Sequence, residues 1–307
     1  NGRDGRLLPG ESIVTVFLRV LESSVDEKEG ALLSSIRALR TASADRATFD
    51  VSLEAFQTVP GSPFAYWTSE TIRSVFVTNA PFEADGRTVK QGLATADDFR
   101  FVRAWWEVAE AQCGSRWFPF AKGGSYSPFY ADVFLCVNWS REGDEIKNNL
   151  NAHGGVRSNV WMLRDTADKF FFRPGLTWPL RGVRLSAQAV PAGCIFSVAG
   201  KMAFADDGAL PTFLALFNSR PFDFLVNTRA GNVGGVQYEV GLVQSTPVPN
   251  LQASATTRLD GLARRGWSLK RTLDTTNEIS HAFVLPGEAR SKVGAIDVPA
   301  IERELAD

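Results

Sequence analysis

Lys122–Trp139 reads KGGSYSPFYADVFLCVNW, and its two halves ask for different structures. The second half, Asp132–Trp139, is rich in β-branched and aromatic residues and has no breaker, so it predicts a strand, followed by a turn over Arg141–Asp144. The first half, Lys122–Tyr130, places two glycines and a proline ahead of that strand, which predicts a loop. The same alternation continues outward in both directions. Asp168–Arg173 and Val183–Val190 read as strands separated by the Pro-Gly and Trp-Pro breaks of RPGLTWPLRG. Leu210–Asn218 reads as a short apolar helix, Val236–Gln244 as a strand entering the Pro247/Pro249 loop, and Ala255–Ala282 as a helical tail that offers Leu259, Leu262, Trp267 and Leu273 for docking. Upstream, Ser12–Leu21 reads as a buried strand and Asp26–Arg40 as a helix with Leu32, Leu33, Ile36 and Leu39 on one stripe. Thr41–Thr48 is a linker candidate, and Ser69–Val77 a short helix. Asp97–Glu110 spaces Phe101, Trp105 and Val108 helically, which favours Trp105 or Trp106 as a core anchor over a base-stacking ring. Short strands mixed with short helices, without a fixed repeat, predict an α+β (mixed α/β) fold with a mixed sheet, flanking helices and a C-terminal helical tail.

At 307 residues and 44% hydrophobic content the chain has the means for one large or two ordinary globular cores. A formal net charge of −1 excludes a uniformly basic coat, but the charge is uneven. Eight Lys/Arg face five Asp/Glu between Arg141 and Arg184, and five basic residues face only Asp260 between Arg258 and Arg271. Local excesses of this kind suit phosphate contacts, and they equally suit solvated faces. Three separated cysteines and two histidines offer neither a disulfide framework nor a zinc set. No membrane span or signal peptide is visible, which predicts a soluble, cytoplasmic protein.

Three blocks carry candidate ligand chemistry. In KGGSYSPFY, Lys122 supplies a charge, and Tyr126 and Tyr130 supply hydroxyls or ring faces; a phosphate-contacting loop and a tight turn with core aromatics both fit. In RPGLTWPLR, Arg173, Thr177, Trp178 and Arg181 sit on a segment stiffened by two prolines, fit either to enter a groove or to cross between strands with Trp178 plugging the core. Downstream, Asn227, Arg229, Asn232 and Gln237 have the side chains that pair with adenine and guanine edges, although helix capping explains the glycines there as well. Asp132, Asp144 and Glu145 with Lys147 outline an acid-acid-Lys nuclease site only superficially, because no strand fixes Asp144–Lys147.

These blocks, with KQGLATADDFRFVRAWWEV from Lys90, FFFRPGLTWPLR from Phe170 and NSRPFDFLVNTRAGNVGGVQYEVGLVQSTPVPN from Asn218, resemble the target-recognition and C-terminal region of adenine-specific DNA methyltransferases of the type IIG-like and PglX-like (bacteriophage-exclusion) kinds. The resemblance runs from about Gly10 to Gly287. It implies the end of a methyltransferase domain and a linker helix over 1–50, a DNA target-recognition domain over 51–252 and a helical segment over 253–307. It also implies duplex DNA and a methyltransferase domain, in the same or a separate chain, as partners. The family's catalytic motif, a polar residue followed by Pro-Pro and an aromatic, has no counterpart, since the chain contains no Pro-Pro dipeptide. The nearest glycine-rich turn, Gly231–Gly235, follows a polar stretch rather than an apolar strand. The expectation is therefore a specificity unit or C-terminal part of a larger enzyme, with no catalytic residue, cofactor site or metal of its own and with S-adenosylmethionine bound elsewhere in the parent. A non-enzymatic protein-interaction module of a phage-defence complex, or a degenerate methylase homologue, remains open.

Overall fold

The computed structural model describes residues 14–43, 45–61, 63, 65–230, 236–287, 289 and 296–306. Asn232 and the Gly231–Gly235 turn lie outside them. The chain forms two compact units, Asn1–Ala80 with Asn227–Asn232, and Pro81–Val226 with Val233–Asp307.

In the smaller unit β1 (Val14–Leu18) pairs antiparallel with β2 (Thr48–Ser52), Val14 opposite Ser52 and Leu18 opposite Thr48. Between them α1 (Lys28–Arg40) starts after a short 3-10 turn, where Ser24 and Glu27 cap each other's backbone. Then come α2 (Leu53–Gln57) and α3 (Glu70–Thr78), the latter capped by Ser69, whose hydroxyl accepts from the Ile72 amide at 3.3 Å. An aromatic cluster holds the unit together: Phe17 stacks on Tyr66 at 4.5 Å and meets Phe56 edge-on at 5.8 Å, and Arg19 lies over Trp67. The apolar stripe of α1 finds little cover, since Leu32, Leu33 and Leu39 are exposed.

The larger unit carries the remaining strands, β3 (Thr88–Lys90), β4 (Val102–Ala104), β5 (Trp117–Ala121), β6 (Leu135–Asn138), β7 (Gly175–Thr177), β8 (Arg181–Gly182), β9 (Gln188–Val190), β10 (Ile195–Phe196), β11 (Met202–Phe204) and β12 (Val236–Gln237). They form two four-stranded sheets, in the orders β10-β5-β6-β4 and β3-β11-β7-β9, and a two-stranded ribbon, β12-β8. The first sheet is mixed, because β10 joins β5 in parallel; the second is antiparallel throughout. The helices are α4 (Asp98–Phe101), α5 (Asp144–Lys147), α6 (Arg164–Phe170), α7 (Leu210–Asn218), α8 (Arg220–Ala230), whose residues from Asn227 on belong to the smaller unit, α9 (Val240–Gln244), α10 (Ala253–Asp274) and a terminal helix, Val298–Ala306. Strands and helices together make the fold α+β. The main core gathers Leu93, Phe101, Phe120, Val137, Ile195 and Phe196 between the sheets. A second aromatic group stacks Phe217 on Phe222 at 4.5 Å and sets Phe82 and Trp178 edge-on against Phe217.

Several local expectations change. Asp168–Arg173 is not a strand; Arg164–Phe170 is helical, and its Ala167 and Phe170 pack against the core one turn apart. Asp97–Glu110 stops being helical at Phe101, because Val102–Ala104 is taken up as the edge partner of β6. Trp105 accordingly anchors through its indole N–H, which donates to the Ile279 carbonyl at 3.0 Å, while Trp106 is exposed. Val236–Gln244 is strand for two residues and then turns into α9, and Val183–Val190 is strand only at its end. The tail helix docks, but through Ala263, Gly266 and Leu269 rather than Leu262, which stays exposed. At Gly266 an added Cβ would meet the Phe129 ring at 3.0 Å, so a small residue is what lets the helix come this close. Among the described residues no helix is long and apolar enough to cross a membrane.

Candidate nucleic-acid interface

The loop Lys122–Tyr130 borders a cleft of about 380 Å³ whose other walls are β9, the residues Asp132–Leu135 and the end of α10 with the turn that follows it. Its two glycines have different tasks. Gly123, at φ +78°, packs inward: an added Cβ would lie 2.4 Å from the Trp178 carbonyl oxygen. Gly124, at φ +59°, has nothing within 4 Å of the same position and leaves the loop open to the outside.

The charged and hydroxyl groups of this cleft are largely engaged. The Lys122 ammonium donates to the Asp98 carboxylate, which also accepts from Thr95 at 2.6 Å. Burial works against ionisation of Asp98, yet those hydrogen bonds and the lysine's charge hold its carboxyl below the ordinary value. Tyr130 is buried, edge-on to Trp267 at 5.6 Å, with its hydroxyl 3.4 Å from Asp274. Burial, and then the neighbouring Asp132 charge, push that phenol up to about 12, so it is a neutral donor at physiological pH. His281 Nδ1 lies 2.9 Å from Asp132 and stacks near Trp105 at 4.6 Å, pinning the turn after α10. Lys270 lines the cleft with no carboxylate within ion-pair distance among the described residues.

Thr177 and Trp178 belong to the interior. The Thr177 hydroxyl donates to the Lys201 carbonyl at 3.0 Å, and the Trp178 indole N–H donates to the Tyr238 carbonyl at 3.3 Å. With both side chains buried, and Thr177 reaching the wall of the first cleft, the RPGLTWPLR segment is a strand crossover plugged by Trp178. Its two arginines are exposed instead. Arg173 lies over the Phe170 and Phe204 rings at 5.7 and 5.8 Å. Arg181 faces Gln237 across the β8–β12 ribbon, its Nε donating to the glutamine Oε1 at 2.9 Å. The Gln237 amide donates in turn to Glu239, and Glu239 pairs with the buried Lys201 at 3.1 Å. The hydrogen bond from Gln237, with the help of Lys201, keeps the Glu239 carboxyl below its usual value despite partial burial.

This ribbon brings predicted residues together. Burial, and then the Asp223 charge, push the phenol of Tyr238, the residue after Gln237, upward, while Tyr126 is exposed. Arg181 and Gln237 thus meet on one two-stranded ribbon, and an arginine beside a glutamine is a pair able to read guanine and adenine edges. Asn227 and Arg229 lie instead on α8, in the smaller unit, where the Arg229 guanidinium donates to the Pro60 carbonyl at 3.1 Å and burial lowers its pKa. They do not join the ribbon residues in one unit.

The pairing of Arg181 with Gln237 spans more than fifty residues and follows from no local pattern in the sequence. No family model matches the chain. It is 29% identical over 178 residues to the adenine-specific methyltransferase PglX of Lacticaseibacillus casei (strain Zhang), a stretch covering 53% of this chain and 14% of that protein. It is 26% identical over 220 residues to the adenine-specific methyltransferase BrxX of Escherichia coli O9:H4 (strain HS), covering 68% of this chain and 16% of that protein. The chain is a distant, partial homologue of adenine-specific methyltransferases. It spans less than a fifth of the length of either relative. Both matches are with methyltransferases, and the stretches they share with this chain include no Pro-Pro dipeptide of its own.

The acidic residues near β6 are taken up as ion pairs: Asp144 with Arg141 and Glu145 with Arg116, each at 3.1 Å. Among the described residues no three His, Cys, Asp or Glu side chains are grouped so as to hold a metal ion.

Proposed function

We propose that this chain is the DNA-recognition region of a PglX/BrxX-like adenine-specific methyltransferase working in phage defence. The observation that carries the reading is the homology to two adenine-specific methyltransferases in a chain that lacks the Pro-Pro motif by which such enzymes hold adenine. In this reading the β8–β12 ribbon enters the major groove, with Arg181 and Gln237 turning from each other to base edges, and the exposed Arg173 and Tyr126 add contacts elsewhere on the DNA. Lys122, already engaged by Asp98, adds a weaker and sequence-independent attraction. Trp178 supports the ribbon from beneath through its hydrogen bond to the Tyr238 carbonyl.

The parent enzyme would take its methyl group from S-adenosylmethionine. The described residues do not fit that group: β11 passes to α7 through Asp206 and Asp207 in an antiparallel sheet, not through a glycine-rich turn of a parallel crossover. No step of the reaction is assigned to them.

The test is the salt dependence of duplex binding by the chain, read by fluorescence anisotropy. The logarithm of the affinity should fall linearly with the logarithm of salt concentration, by roughly 0.9 per phosphate contacted. An affinity indifferent to salt, or none, would point to a protein-interaction module. In the parent enzyme, Arg181→Ala and Gln237→Ala should change which sites are methylated, and methylome sequencing would show this. The same site at uniformly lower occupancy would reduce the ribbon to a structural element.

A further inference from the structure

The larger unit contains a second and roomier cleft, of about 810 Å³, between α6, the 3-10 turn Val160–Met162 and the segment after β6. Its floor is formed by Trp139 and Phe171, edge-on at 5.2 Å. At its rim stand Trp161, 68% exposed, and Phe172, 39% exposed. Phe172 keeps ring contacts with Phe118 at 5.3 Å and Phe171 at 6.4 Å, and Trp161 is the more exposed ring of the two.

Phe172 has a left-handed backbone, φ +67°, which is uncommon for an aromatic residue. It is clamped there, its N–H donating to the Cys194 carbonyl at 2.8 Å and its carbonyl accepting from the Gly193 amide at 2.9 Å. Glu142, another residue of the rim, is also left-handed, at φ +57°. Glu142 belongs to a left-handed turn with Arg141 and Gly143, at φ +49° and +78°. The charges differ from those of the first cleft. Lys147 and Arg164 line the cavity without an ion pair, as do the carboxylates of Glu142 and Asp168, among the described residues.

Exposed ring faces accept any base by stacking, cations attract a phosphate, and a carboxylate accepts hydrogen bonds from an exocyclic amine. We propose that this cleft is a binding site for an unstacked nucleotide whose base carries an exocyclic amino group, with Trp161 and Phe172 stacking on the base, Lys147 and Arg164 on the phosphate side, and Asp168 or Glu142 receiving the amine. The source favoured is a displaced or flipped residue of a DNA strand. Only that source rests on the DNA-recognition reading.

The experiment measures binding of fluorescent single-stranded decamers of deoxyadenosine, deoxycytidine and thymidine to the full chain, with a duplex and free deoxyadenosine monophosphate as separate arms. Adenine and cytosine decamers should bind more tightly than the thymine decamer, since thymine has no exocyclic amine, and Asp168→Asn with Glu142→Gln should erase that preference. Trp161→Ala should weaken single-strand binding by about tenfold, in the range that stacking supplies, with an unchanged melting temperature. Equal affinity for all three decamers, or an unaffected Trp161→Ala variant, overturns the proposal. Free nucleotide competing as well as the decamer would assign the site to a soluble ligand of the same chemistry. Single-strand binding that survives while duplex binding is absent sinks the recognition reading and leaves this site standing; the reverse sinks this site alone.

Discussion

The two clefts of the larger unit are opposites in how they use the same kinds of residue. Around the KGGSYSPFY loop, lysine meets aspartate, tyrosine meets tryptophan and glycine meets a carbonyl, so most of its chemistry is directed inward. Around Trp161 one ring is largely exposed, and among the described residues two cations and two carboxylates have no ion-pair partner. Residues that make a sequence motif conspicuous, such as paired glycines, stiff prolines and tryptophans, are here the ones that build the scaffold. In the readings proposed above, ligand chemistry falls to side chains on quieter stretches.

The most severe way to test this division is to remove the docked tail. Truncation after Asn250 uncovers Phe129, Tyr130 and the seat of Leu269; each large apolar side chain re-exposed costs about 1.5–3 kcal/mol, so a loss of several kcal/mol in melting or denaturant experiments is expected. A truncated chain that melts unchanged but no longer binds DNA would make α10 a clamp instead of a strut. Next in size is Gly123→Ala, where backbone strain adds to the clash with the Trp178 carbonyl. About 2–4 kcal/mol is expected, against about 1 for Gly124→Ala, which meets only open space; equal losses would erase the inward-outward distinction within the loop.

A smaller effect is expected from Asp98→Asn. The Lys122–Asp98 pair is more than half exposed on the aspartate side, so its loss at neutral pH should cost under about 1 kcal/mol. Because the folded Asp98 carboxyl sits below its ordinary value of 3.8, its contribution is fully present above that value and disappears as pH falls through the folded one. Wild type and variant should therefore converge in stability on acidification below about pH 4; a difference that persists in acid would mean that packing, not charge, links the two residues.

The least perturbing test is thiol labelling. Burial pushes Cys136 up to about 11 and Cys194 up to about 12, while Cys113 is exposed. One equivalent of alkylation at pH 8, mapped to Cys113 by mass spectrometry, is the expected outcome. Rapid labelling of Cys194 would show that the Gly193–Cys194 clamp on Phe172 opens in solution.

What was legible in the sequence follows the range of the interactions involved. The helix Leu210–Asn218 and the Ser69-capped helix are written in a few adjacent residues, and both appear with the expected limits to within a residue. Val102–Ala104 reads as helix by spacing, yet the open edge of β6 draws it into a sheet. The triple phenylalanine at 170–172 reads as strand, but only its first residue lies in α6, and the next two turn toward the core and the rim. At the ribbon, Arg181 and Gln237 were visible as residue types but not as partners, because only the folded register brings them together. Trp161 drew no notice, since nothing in VWML distinguishes an exposed ring from a buried one.

The β8–β12 ribbon is held by backbone pairing, with Val236 and Trp178 beneath it, while Arg181 and Gln237 project their ends outward. Arg181 mounted this way can be exchanged with little disturbance to what carries it, whereas Gln237 also donates to Glu239, the partner of buried Lys201. If the ribbon reads DNA, its preference can change by single codons, at a cost to stability that is smaller at Arg181 than at Gln237.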